Sequence, residues 1–367
     1  MKRIQADQLK RALQESKILL VQGPKNVGKV ALVEKMLGEL NASFSLLNCS
    51  KKNDLITEIS HENQEYLILN DAHESDQLQS VVEAALNGEI NHSLILICSF
   101  RPILDELLLE VLEANGMVFT LFAPTFYEAA QHFGIAEESR LMEERLIFGN
   151  YPKVIDDLDH AELTLRELVQ DILITHFGPQ DRVNKGDKLM RVMGQLAFNI
   201  GEPVSYNEIG EKVDLDNETV ERYVKLLIDA FVIIALPSYH NEKRYELKKS
   251  FCFYFLDNGM RNVLISNLNP TFLRNDMDVL WRNYVIAERY KWVAVNNMHI
   301  DHYFWRSHTR QQIDLLELSG SGMNAYKTDW EKRGKVKIPA LFTSYYPTVK
   351  SGLLNKNTYW TFLSKKA

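Results

Sequence analysis

The sequence predicts an α/β protein that opens with a parallel sheet covered by helices on both faces. Three observations carry that expectation. Near-continuous apolar runs of strand length recur at Ile18-Leu19-Leu20-Val21, Leu67-Ile68-Leu69 and Leu94-Ile95-Leu96-Ile97, the pattern of strands buried on both faces. Segments with helical apolar spacing separate most of them. A glycine-rich loop, Gly23-Pro24-Lys25-Asn26-Val27-Gly28-Lys29, joins the first run to a helical segment carrying Leu32, Val33, Met36 and Leu37.

In chain order, residues 1–16 read as a short amphipathic helix through Ile4, Leu9 and Leu13. Further strands are expected at 43–48, 65–71, 93–99 and 116–121, with helices over 76–86 and 103–113. Residues 122–180 read as helical: one helix starts after Pro124, and another ends at the Gly149-Asn150-Tyr151-Pro152 turn. From Asp187 the pattern changes to three helices, 189–198, 205–213 and 216–227, the second opening at a Ser205 cap with Glu208 three residues on. Apolar runs at 231–236 and 251–255 then flank a charged tip, so three helices and a hairpin predict a winged helix-turn-helix.

The chain of 367 residues is long enough for two or three domains, and 46% apolar with 25% charged residues is ordinary for a globular protein. Three widely spaced cysteines, Cys49, Cys98 and Cys252, form neither a metal-ligand spacing nor a disulfide framework, which fits a reducing cytoplasm. No apolar signal core or membrane-length run is present, so no membrane partner is expected. A net charge of −7 argues against a chain that coats nucleic acid over its whole surface, while leaving room for a local basic face.

The loop after the first strand has the chemistry of a phosphate-binding P-loop. Small residues let backbone N–H groups curl around phosphates at a helix N-terminus, and a lysine reaches the outer phosphates. Gly23, Pro24, Asn26, Val27, Gly28, Lys29 and Val30 are therefore the candidate residues for ATP or ADP. The position after the lysine should carry a hydroxyl for Mg²⁺, and here it is Val30. The third strand ends in Asn70-Asp71-Ala72-His73: Asn70 stands at the magnesium position and Asp71 in the place of the catalytic base, one methylene shorter than glutamate. Ser99, after the fourth strand, is the candidate γ-phosphate sensor, with a simple serine turn as its equal alternative. The use of Mg²⁺ stays open.

In the winged segment, the third helix offers Asn217, Thr219, Arg222, Tyr223 and Lys225 to duplex DNA, and the hairpin tip offers Lys243, Arg244, Lys248 and Lys249. Asp216, Glu218 and Glu221 on the same helix repel phosphate, so packing or protein contact is the competing reading.

Five stretches, in order, resemble a known group, the bacterial and archaeal AAA+-like ATPases with a C-terminal domain of unknown function. They are the P-loop, Leu121-Phe122-Ala123-Pro124-Thr125-Phe126-Tyr127-Glu128, Phe148-Gly149-Asn150-Tyr151-Pro152, Tyr254-Phe255-Leu256-Asp257-Asn258-Gly259-Met260-Arg261, and Leu280-Trp281-Arg282-Asn283-Tyr284-Val285-Ile286-Ala287-Glu288. The arginine that the family usually carries before the second stretch is missing from Ala114-Asn115-Gly116. The resemblance implies an AAA+-like P-loop domain at 1–121, a helical lid at 122–180, a winged helix-turn-helix at 181–265, and an α/β fold similar to restriction endonucleases and PD-(D/E)xK nucleases at 266–367. In that last segment Asp314 fits the first metal-binding acid, but the expected Glu-x-Lys reads Lys327-Thr328-Asp329, and Arg282 replaces a common glutamate although Glu288 is kept. The resemblance implies a nuclease-like domain, and these departures from its pattern imply that the domain lacks nuclease activity.

Val30, Asn70, Lys327 and Asp329 all depart toward losing Mg²⁺ ligation. The sequence therefore reads as an ATP-binding switch or scaffold with weak or no hydrolysis. Two alternatives stand beside it: an active ATPase that uses Asp71, and a DNA-binding regulator with a vestigial P-loop. The candidate partners are nucleotide, duplex DNA and a protein.

Overall fold

Leu9 and Leu13 lie on the buried face of α1 (Ala6–Glu15), the first element of a computed structural model that describes all residues except 50–53, 177–184, 240–249, 308, 332–333, 335–336 and 365–367, and the side chains of 174–176. The chain divides into two compact units, Met1–Pro124 and Thr125–Ala367.

In the first unit, α1 leads into β1 (Ile18–Gln22), α2 (Lys29–Glu39), β2 (Phe44–Asn48), α3 (Leu55–His61) and β3 (Tyr66–Asn70). A 3₁₀ turn (Ala72–Glu74), α4 (Leu78–Leu86), β4 (Ser93–Cys98), α5 (Glu106–Ala114) and β5 (Val118–Thr120) complete it. The five strands are all parallel, in the order β2-β3-β4-β1-β5. β1, β3 and β4 are inner strands, buried almost throughout, which is why their sequences are apolar without alternation. The edge strand β2 is only partly buried and carries Ser45 and Asn48. Because β4 lies between β1 and β3, the carboxyl ends of these three strands stand side by side, where open α/β sheets hold their ligands.

The second unit contains α6 (Phe126–Phe133), α7 (Ile135–Arg140), α8 (Met142–Phe148), α9 (Pro152–Asp156), α10 (Ala161–His176) and α11 (Asp187–Phe198). Then follow β6 (Pro203–Val204), α12 (Tyr206–Val213), α13 (Asn217–Asp229), β7 (Ile233–Pro237), β8 (Phe251–Phe255) and α14 (Asn258–Leu264). Last come α15 (Met277–Val295), β9 (Asp301–Arg306), β10 (Gln312–Ser319), β11 (Gly322–Thr328), α16 (Ala340–Tyr345), β12 (Lys350–Leu354) and α17 (Tyr359–Leu363). Helix starts follow local chemistry: Thr125 with Glu128 and Ser205 with Glu208 form reciprocal capping boxes, and Asp216 and Asp257 accept from the N–H groups of Thr219 and Met260. β6, β8 and β7 form a small antiparallel sheet beside α11–α13, and β12-β11-β10-β9 a second, mixed sheet.

The sequence markers of the second unit converge on one buried polar network. Gly149, at φ +76°, leaves room for Asp257, whose carboxylate accepts from the Asn150 N–H at 2.7 Å. Asn258 and Asn262 donate to the last carbonyls of α8, and Asn283 bonds both backbone groups of Phe255. Glu288 accepts from the Phe126 N–H at 2.7 Å, Lys291 Nζ at 2.6 Å and Asn150 Nδ2 at 3.4 Å. These residues satisfy buried backbone groups that would otherwise be orphaned.

Candidate functional site

The loop that leaves β1 is held by backbone constraints before any ligand enters. The Gly23 N–H donates to the Cys98 carbonyl at 3.2 Å, and a Cβ on Gly23 would stand 2.0 Å from the Leu121 oxygen. Asn26 at φ +63° and Gly28 at φ +89° adopt the left-handed conformation, which curls the chain over the start of α2. Val27 and Pro24 are buried, and Arg3 donates to the Val27 and Phe122 carbonyls. Gly28 supplies no side-chain cap, so the first-turn N–H groups of α2 remain for an anionic ligand by helix geometry.

Lys29 is the first residue of α2 and only 5% exposed. Its Nζ donates to the Gly23 carbonyl at 2.9 Å and the Pro24 carbonyl at 2.6 Å, so the ammonium lies folded into the loop. Burial lowers its pKa to about 7, against smaller opposing contributions from Cys98 and Asp71. In the unfolded chain the group titrates near 10.5, so the unfolded state binds more protons between the two values. The contribution of Lys29 to stability therefore rises as pH increases from about 7 toward 10.5. An incoming phosphate favours the charged form, and ADP binding at pH 8 is expected to take up about one proton. Calorimetry in buffers of different ionisation enthalpy checks this; heats independent of the buffer would contradict it. Val30, half-buried, has no hydroxyl to offer a metal ion.

At the end of β3, Asn70 Nδ2 donates to Asp71 Oδ2 at 3.0 Å, which spends the amide on its neighbour and leaves Asp71 as the anionic residue there. Asp71 sits at φ +52°, a left-handed conformation that aspartate tolerates. The 3₁₀ turn that follows gathers Asp71, His73 and Glu74, with one potential ligand atom from each lying within 4.8 Å of the others. His73 stacks against Phe100 at 6.4 Å between ring centroids, and burial, aided by Lys29 and Lys25, lowers its pKa to about 4. Both ring nitrogens are shielded from solvent without a hydrogen-bond partner among the described residues. Ser99 follows β4, next to the loop strand.

The structure thus brings the Gly23–Val30 loop, Asp71 and Ser99 to the carboxyl edge of one sheet. For His73 and Glu74 the sequence carries one local signal, an Asp-x-His-Glu run directly after an apolar strand, and for Arg3 it carries none.

In the second unit Arg222 and Lys225 are exposed on α13, beside exposed Glu218 and Glu221. Tyr223, expected with them on the groove face, is instead 2% exposed and packs into the core, because it falls on the same helix face as Val220, Val224 and Leu227. Thr219 is occupied by the Asp216 cap. Lys243, Arg244, Lys248 and Lys249 lie outside the described residues. On β10, Asp314 is 2% exposed and accepts from the Thr328 N–H at 2.7 Å and its hydroxyl at 3.2 Å, while the Arg282 guanidinium lies 3.7 Å away. A cation of the chain itself therefore stands beside the acid expected to ligate metal. Glu288 has a different set of partners, those of the buried network.

Residues 139–271 match the model of a domain of unknown function, DUF8612. An uncharacterized protein of Haemophilus influenzae is 24% identical over 230 residues, 59% of this chain and 57% of that protein. One of Mycobacterium tuberculosis is 25% identical over 159 residues, 41% of this chain and 35% of that one. The chain thus spans between about a third and somewhat over half the length of these curated relatives. Among solved structures, a Walker-type ATPase of Pyrococcus abyssi is similar at a TM-score of 0.46 and 10% identity, over 71% of this chain and 94% of that one. The Thermotoga maritima RuvB Holliday junction branch migration motor is similar at 0.32 and 16%, over 64% and 89%. Among the described residues, no helix is long and apolar enough to cross a membrane.

Proposed function

We propose that the chain is a P-loop nucleotide-binding protein of AAA+-like type, which holds the phosphates of ATP or ADP in the Gly23–Lys29 loop and hydrolyses ATP weakly or not at all. The observation that carries this reading is Lys29, buried at the first turn of α2 inside a loop shaped by Gly23, Asn26 and Gly28. Phosphate would draw the Nζ from the Gly23 and Pro24 carbonyls, exchanging neutral acceptors for a charged one. Methyl groups at Val30 and an amide bonded to Asp71 at Asn70 favour phosphate contact without ordinary Mg²⁺ ligation. The protein then acts as a nucleotide-dependent switch or scaffold, in a cytoplasmic setting.

Beyond the P-loop domain we read 122–180 as a helical lid, 181–265 as a winged helix and 266–367 as a nuclease-like fold without nuclease activity. Arg282 beside Asp314, with Lys327 and Asp329 reversed in charge, supports that last reading. Exposed Arg222 and Lys225 favour a second role in duplex DNA binding.

The test is calorimetric titration with ADP and ATP, with and without Mg²⁺, alongside turnover. Lys29→Ala is expected to weaken ADP binding by about 10- to 100-fold, the loss of a charge-assisted contact. Turnover at about 1 s⁻¹ or faster, abolished by Lys29→Ala, would overturn the weak-hydrolysis reading, and its loss in Asp71→Ala would assign Asp71 the essential acid. Duplex binding insensitive to nucleotide and lost in an Arg222→Glu, Lys225→Glu variant would favour the regulator reading.

A further inference from the structure

We propose that Asp71, His73 and Glu74 form a binding site for a divalent first-row transition metal, beside the phosphate loop. Three side chains of the right types lie on one short turn, their potential ligand atoms within 4.8 Å of one another. Metal–oxygen and metal–nitrogen bonds of about 2.0–2.2 Å need ligand atoms somewhat closer than that. Glu74 is exposed, and rotation of its side chain would close the gap. The 3₁₀ repeat places residues three apart on one side of the turn, which brings Glu74 over Asp71.

A second observation points to a ligand. The His73 imidazole is held against Phe100, yet neither of its solvent-shielded nitrogens has a hydrogen-bond partner among the described residues. Buried polar atoms are normally paired, and an unpaired imidazole flanked by two carboxylates is satisfied by a metal ion. The donor set decides the class. One imidazole and two carboxylates suit manganese, cobalt, nickel or zinc, whereas Mg²⁺ prefers an all-oxygen octahedron.

Lys29 and Lys25 lie near enough to His73 to act on it electrostatically, and their positive charge opposes a bare cation. Phosphates on the loop would offset that charge, so metal and nucleotide are expected to strengthen each other's binding. This coupling alone rests on the nucleotide reading above; the metal site stands without it.

The experiment is a titration of the full chain with Co²⁺ alone, followed by its visible absorption and by calorimetry, then repeated with ADP present. One saturable site is expected, weakened by at least about tenfold in His73→Ala and in Glu74→Gln, and not displaced by an equal concentration of Mg²⁺. Glu74→Gln alters an exposed side chain and keeps the test valid if His73→Ala fails to fold. Co²⁺ binding that is unchanged in Glu74→Gln, absent from the unaltered chain, or displaced by equimolar Mg²⁺ would overturn the proposal. Co²⁺ bound without any ADP binding would leave the metal site standing and sink the nucleotide reading, and the reverse result would do the opposite.

Discussion

Alanine at Gly23 is expected to abolish ADP binding and to destabilise the first unit by about 2–6 kcal/mol, the sum of an overpacking cost and a left-hemisphere backbone cost. The added Cβ would lie 2.0 Å from the Leu121 oxygen and 2.9 Å from its carbonyl carbon. Backbone cannot rotate aside as a long side chain would. The residue also sits at φ +142°, where an L side chain is strained. Relief of the clash must move either the loop or the strand exit after β5, and the Gly23 carbonyl that accepts from Lys29 moves with it. Gly28→Ala is the control: at φ +89° it carries backbone strain, but nothing lies within 4 Å of its Cβ, so its cost should stay near 1 kcal/mol. Urea denaturation and ADP titration of both variants check the pair. Equal losses in the two would show that the Leu121 contact is not the cause.

Glu288→Ala is expected to cost about 3–5 kcal/mol, because it leaves Lys291 charged and buried without its partner. Both side chains are nearly inaccessible, and Glu288 also accepts from the Phe126 and Asn150 N–H donors. The truncation therefore strands three donors at once. Glu288→Gln keeps an acceptor for some of them and should lose less, while a Glu288→Met, Lys291→Met double variant should recover much of the loss by removing both charges. Chemical denaturation of the set gives the answer. A Glu288→Ala protein as stable as the unaltered chain would mean that the network does not hold the α6 start and α15 together. The sequence pattern places Glu288 as a helical acid of a nuclease-like fold, whereas in the structure its partners are those of the buried network.

How much of this was legible beforehand depends on the range of the interaction. β1, β3 and β4 were readable because inner parallel strands need apolar residues on both faces. The Ser205–Glu208 box and the helix after Pro124 were readable because capping acts over three residues. Boundaries shifted where a local cap intervened: the helix expected from Ile103 begins at Glu106, after Asp105 accepts from the Leu107 N–H. Tyr223 belongs to the core because helix geometry puts it on the face of Val220, Val224 and Leu227, which residue type alone does not show.

By itself the sequence determined the strand–loop–helix order at Gly23–Lys29, the missing hydroxyl at Val30 and the amide at Asn70, since these are identities at fixed spacing. Only the tertiary structure decided that Lys29 is folded inward and partly discharged, that a left-handed Asp71 draws His73 and Glu74 into one cluster, and that Arg282 stands beside Asp314. Burial and charge depend on what surrounds a side chain, and those neighbours come from distant parts of the chain. Glu288 meets the Phe126 N–H across 162 positions, a separation that no local pattern records.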